Sequence, residues 1–96
     1  MNSNVLKQYL IKDKISMILT LFKDTTGCYK YSIEQTYKGK ENTLIKTTEF
    51  AAGSMKSNAV KTFEGCITRM VERGYTTVSK SYYKEQHNNE QIWLWD

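Results

Sequence analysis

The stretch from Ala59 to Val71 changes the period of the chain, and that change limits the folds open to it. Ala59, Val60, Phe63, Cys66, Ile67, Met70 and Val71 recur at three- and four-residue spacing, which places them on one stripe of an α-helix. Ser54 or Ser57 is suited to accept from the free N–H groups at its start. Arg69 and Arg73 fall in the last turn, where cations complement the helix dipole, and Gly74 is placed to end the helix in the left-handed conformation. One helix with one apolar stripe must bury it against another layer, and the rest of the chain offers strands for that purpose.

Ile15, Met17, Leu19 and Leu21 alternate as a strand, with Ile18 and Phe22 adding apolar groups on its other face. Residues 23–27 (Lys-Asp-Thr-Thr-Gly) form a turn in which Gly27 is free to take positive φ. Tyr29, Tyr31, Ile33, Gln35 and Tyr37 then face away from Lys30, Ser32, Glu34 and Lys38, the pattern of a half-buried antiparallel strand. Residues 39–42 close a second hairpin, and Thr43 to Phe50 makes a third strand, with a break over Ala51 to Ser54. After the helix, Tyr75 to Tyr83 reads as a strand, residues 85–90 as a polar turn, and Ile92 to Trp95 as a last short strand. In the first dozen residues Val5, Leu6, Tyr9 and Leu10 suit either a short helix capped by Ser3 or an opening strand. The expected class is α+β: an antiparallel sheet of about five strands with one long helix packed on one face, in the order (α)βββαββ.

The 96 residues contain no proline, no low-complexity tract and no internal repeat, so residues 1–96 are expected to form a single domain. No apolar run is long enough for a membrane span, and the N-terminus lacks the hydrophobic stretch of a signal peptide. Two cysteines, Cys28 and Cys66, are too few for a disulfide scaffold, and a cytoplasmic location follows as the expectation. The formal charge of +4 is unevenly spread. Lys56, Lys61, Arg69, Arg73, Lys80 and Lys84 crowd the stretch from Met55 to Lys84 against Glu64 and Glu72, whereas residues 85–96 hold three acids and no Lys or Arg. Such a gradient orients a charged partner, or is simply a solvated surface.

Catalytic chemistry has little to work with. A zinc site needs about three convergent ligands, and the sole histidine, His87, stands in a polar turn. Cys66 lies on the apolar stripe, where a thiol packs as a small core group. No phosphate-cradling glycine motif is present, and no base and orienting group can be named for a nucleophile. The expectation is a protein that is not an enzyme, with no catalytic residue, no metal and no cofactor. Binding has more support, because aromatic residues make up 12% of the chain. Trp93 and Trp95 share one face of the last strand, Tyr82 and Tyr83 point to opposite faces, and Lys30, Lys80 and Lys84 lie nearby in this reading. Rings beside lysines form a base-stacking platform, or alternatively pack beneath the N-terminal segment as a second small core. Gly65 falls on the outer side of the helix, where glycine costs roughly 1 kcal/mol against alanine, so a partner approaches closely there or the site is unconstrained.

The spacing of Ser54, Ala59, Phe63 and Glu64, followed by Arg73, Gly74 and Tyr75, resembles the helix end of a WGR domain, a nucleic-acid-associated module, although the Trp-Gly-Arg tripeptide is absent. Ser54, Lys56, Ala59 and Lys61 also resemble the start of the last helix in double-stranded-RNA-binding domains, whose lysines reach phosphates. In general form the chain is similar to small phage accessory inhibitors such as anti-CRISPR proteins, which occlude nucleic-acid-processing complexes. These resemblances imply a stoichiometric inhibitor of a bacterial defence complex, acting as monomer or homodimer without a membrane, or alternatively direct binding of nucleic acid. The residues expected to carry either role are Lys56, Lys61, Gly65, Arg69, Arg73, Lys80, Tyr82, Lys84, Trp93 and Trp95.

Overall fold

The computed structural model describes residues 3–38 and 43–83, without the side chains of 38 and 43–45. It shows β1 (Ser3–Lys12), β2 (Ile15–Lys23), β3 (Tyr29–Lys38), β4 (Thr43–Gly53), α1 (Lys56–Glu72) and β5 (Thr76–Val78). The strands form one antiparallel sheet in the order β4-β3-β2-β1-β5. The class is therefore α+β, with the element order ββββαβ. Among the described residues no helix is long and apolar enough to cross a membrane.

The opening segment is a strand. Lys12 pairs with Ile15 across a two-residue connection in which Asp13 takes φ 51°, a conformation that aspartate tolerates. The double apolar pattern of this segment has two causes. A register irregularity between Asn4 and Leu6 frees Val5 to pack against the core, while Leu10 and Tyr9 serve opposite faces of the sheet.

β2 is the centre of the sheet and is buried on both sides. Met17, Leu19 and Leu21 meet α1 through Ala59, Phe63 and Cys66. Leu19, Leu21 and Ala59 have no exposed surface, and a leucine buried this fully contributes about 1.5–3 kcal/mol relative to solvent. Tyr31 closes this layer by meeting the Phe63 ring edge-on at 6.4 Å. The other face buries Ser16, Thr20, Phe22 and Thr36.

The apolar stripe of α1, the alternation of β2 and β3, the positive φ of Gly27 (90°) and the termination at Gly74 (φ 103°) match the expectations. Four other features differ. Met55, in an extended conformation, precedes the helix and no side chain caps it, so neither Ser54 nor Ser57 acts there. β4 runs on through Ala51 to Gly53, because Lys30 and Tyr29 continue to pair with Ala51 and Gly53 past an irregularity. The expected strand from Tyr75 to Tyr83 is only three residues long. Beyond it Ser79 starts a helical turn over 80–83: its Oγ accepts from the Tyr82 amide at 3.1 Å and its carbonyl from the Tyr83 amide at 2.9 Å. The expected turns at 39–42 and 85–90 and the strand at 92–95 lie outside the described residues.

Candidate nucleic-acid interface

The chain leaves β4 at one edge of the sheet and must reach β5 at the other, so α1 crosses the face obliquely. The crossing covers one end of β3 and β4 and leaves the other end open. Its far anchor is the helix C-terminus. Arg73 caps the helix, the Gly74 amide donates to the Val71 carbonyl at 3.0 Å, and the Tyr75 amide donates to the Met70 carbonyl at 3.0 Å. These two bonds form a Schellman motif, which needs the left-handed backbone that Gly74 supplies. The motif turns Arg73 and Tyr75 toward β1, where Lys12 Nζ donates to the Arg73 carbonyl at 2.7 Å and lies 5.5 Å from the Tyr75 ring centre.

Between this helix end and the uncovered end of β3 and β4 is a concavity of about 340 Å³. Its floor is Met17, Ile33 and Met70; Lys12, Lys46 and Arg73 supply three cations around it. Gln35 and Thr48 add neutral polar groups, and Phe50 and Tyr75 add rings. Strand register explains why these side chains converge. Gln35 pairs with Lys46, Ile33 with Thr48 and Tyr31 with Phe50, so all six point to the helix side. The same alternation sends Glu34 and Glu49 to the opposite face, and among the described residues no carboxylate lines the concavity.

The rings are ordered. Phe50 stacks on Tyr31 with centres 5.1 Å apart and planes 25° from parallel, yet remains 42% exposed. Tyr37, six residues along β3 from Tyr31 and on the same face, is 45% exposed. Burial pushes the Tyr31 and Tyr75 phenols up from their ordinary value, against the opposing pull of Arg69 and Arg73 respectively. Both rings are therefore neutral and buried, each with a cation close by.

The expected site residues do not form one site. Arg73 joins the concavity. Lys56 and Lys61 are exposed on α1, where Lys61 lies on its outer side. Gly65 is half-buried rather than open, because a Cβ there would meet Arg69 Nη1 at 3.7 Å, an ordinary contact; the arginine side chain lies over it. Lys80 and Tyr82 lie at the β5 edge, Lys80 in a shallow cleft with Lys7 and Gln8, and Tyr82 beside Gly74 and Thr76. Lys30 faces the opposite side and pairs with Asp24 at 3.5 Å. Tyr83 is buried against Tyr9, ring centres 4.9 Å apart, while Tyr82 is exposed. Lys84, Trp93 and Trp95, with His87, lie outside the described residues.

Sequence reasoning missed Lys12, Lys46, Phe50 and Tyr75. The one available signal was the Lys46-x-Thr48-x-Phe50 alternation, which puts a cation and a ring on one strand face. Cys66 is buried as expected, and Cys28 is exposed. Among the described residues no three His, Cys, Asp or Glu side chains gather as metal ligands. No protein family, curated protein or solved structure matches this chain.

Proposed function

We propose that the protein is a non-enzymatic nucleic-acid-binding module that holds a phosphodiester chain across the concavity between α1 and the open end of β3 and β4. The observation that carries this reading is the composition of that surface: Lys12, Lys46 and Arg73 surround it, Phe50 and Tyr75 line it, and no carboxylate among the described residues opposes them. Cations there neutralise phosphates and release counterions, while rings and neutral hydrogen-bonding groups meet the bases. The resemblance of the helix segment to nucleic-acid-associated modules agrees with this partner, although the residues that serve it are mostly on β1 and β4.

Anisotropy of labelled oligonucleotides at two salt concentrations tests it. The protein should bind at low salt and weaken steeply as salt rises. Lys46→Glu combined with Arg73→Glu should weaken binding at least tenfold and flatten the salt dependence by about 0.7–0.9 in log–log slope per lost phosphate contact. No binding of any strand at low salt would sink the proposal.

A second reading is a stoichiometric inhibitor that occludes a bacterial nucleic-acid-handling complex. One observation favours it: among the described residues β4 has β3 on one side and no strand on the other, an edge suited to strand addition by a protein. Retention of a protein partner after nuclease treatment, lost on adding a proline at Thr47, would favour this reading over the first.

A further inference from the structure

We infer that the concavity takes an unpaired nucleic-acid strand rather than a duplex, with one base stacked on Phe50 and the strand running along β3 and β4 toward Tyr37. The inference rests on the nucleic-acid reading above and narrows its substrate.

Three observations carry it. First, the exposed rings are useful only to unpaired bases. Phe50 already has Tyr31 on one side, and Tyr31 meets Phe63 edge-on, so a base on Phe50 extends a ring series anchored in the core. Such a ring is held in place before the ligand arrives, which lowers the ordering cost of binding. In a duplex, bases are stacked on one another and offer no free face.

Second, the row has the length of a short strand. Tyr31 and Phe50 are directly paired, and Tyr37 follows six residues later on the same face, so the two exposed rings stand ~20 Å apart. Lys46 and Gln35 are paired between them. Cation and amide between two rings match a backbone that alternates phosphate with base. The span fits a few nucleotides, near the low end of site sizes for single-strand binders, about four.

Third, the surface is a concavity beside α1, with Lys12 half-buried in it and Lys46 and Arg73 exposed around it. α1 rests on the sheet and rises beside the concavity, with Arg73 at its edge. Duplex reading from the major groove needs a projecting helix or ribbon, and this surface is concave.

The test uses the full chain and three labelled probes: an oligothymidylate of roughly a dozen nucleotides, the matching oligouridylate, and a blunt mixed-sequence DNA duplex of similar length. At low salt one or both single strands should bind at least tenfold more tightly than the duplex. The ratio between thymidylate and uridylate tells DNA from RNA. Phe50→Ala should weaken the single strand by roughly tenfold and leave the salt slope unchanged, because it removes a stack and no phosphate contact. Phe50→Tyr should retain wild-type affinity, and Tyr37→Ala should lose a smaller factor. Melting temperatures of the variants separate lost binding from lost folding; if Phe50→Ala is unfolded, the single-strand preference and Tyr37→Ala still decide. Equal or tighter duplex binding overturns the inference while leaving the nucleic-acid reading intact, as does unchanged affinity in a folded Phe50→Ala. Failure of all three probes overturns both.

Discussion

The two faces of the sheet are built on different principles although they share β2. On the helix side the buried groups are almost all apolar: Leu10, Met17, Leu19 and Leu21 against Ala59, Phe63 and Cys66. On the other side Ser16, Thr20 and Thr36 are buried beside Phe22, and Tyr83 sits on Tyr9. A side chain of β2 therefore enters either a close-packed hydrocarbon layer or a layer with hydroxyls in it, depending only on its parity. Free energy differs accordingly. Deleting methylenes from the first layer leaves a cavity, whereas exchanging a hydroxyl of the second layer for a methyl keeps its volume filled. The site follows the first layer: it is the part of the helix-side face that α1 leaves uncovered.

Substitutions that differ only in the face they address test this contrast, and the largest effect is expected from Leu19→Ala. It should destabilise by about 2–5 kcal/mol in urea or thermal unfolding. Its neighbour in sequence, Thr20→Val, exchanges a buried hydroxyl for a methyl of the same shape on the opposite face and should change stability by less than about 1 kcal/mol. Equal losses would break the contrast and make both faces cores of the same kind.

Tyr83 gives the next effect, and it depends on pH. Burial pushes its phenol well above the ordinary value of 10; the Ser16 hydroxyl works against this, and Glu34 and Tyr9 add to it. The folded protein thus holds this proton more tightly than the unfolded chain does. The associated stability is complete below pH 10 and is lost as pH climbs from there toward the folded value. Unfolding measured from pH 8 to about 11 should show falling stability in the wild type and a shallower fall in Tyr83→Phe, at a neutral-pH cost of about 1 kcal/mol. Parallel curves for the two proteins would show that this phenol does not titrate with folding.

The smallest effect is at the β2–β3 turn. Asp24 Oδ1 accepts from Thr26 Oγ1 at 2.6 Å, from the Thr26 amide at 2.9 Å and from the Cys28 amide at 3.0 Å, and the carboxylate is also paired with Lys30. The Thr26 hydroxyl bond leads in holding its carboxyl at about 2. This contribution is present above the ordinary value of 3.8 and lost as pH falls toward 2. Asp24→Ala should speed exchange of the Thr26 and Cys28 amides with little change in melting temperature. A large drop in melting temperature would mean that this turn, and not the layers, limits stability.

Much of the fold is legible in the residues themselves. The stripe from Ala59 to Val71, the alternation of Ile15 to Leu21 and of Tyr29 to Tyr37, and the glycines at 27 and 74 act through neighbours within a few positions, so a sequence displays them directly. The opening strand was ambiguous because a bulge and a two-faced strand together imitate helical spacing. The candidate site was nearly illegible. Arg73 alone was anticipated, since a search along the helix finds cations close in sequence, whereas this concavity draws Lys12, Lys46, Phe50 and Arg73 from three separate elements.

What the sequence by itself determined is the set of elements and the parity of each: which residues of a strand share a face, and which stripe of the helix is apolar. Period and chain stereochemistry decide those locally. Only the tertiary structure decided that β5 pairs with β1 at the far edge from β4, that α1 must therefore cross the sheet obliquely, and that a corner of β3 and β4 stays uncovered. Strand order and register are choices among pairings distant in sequence, and their energies depend on how whole faces pack, a quantity no local window of residues contains.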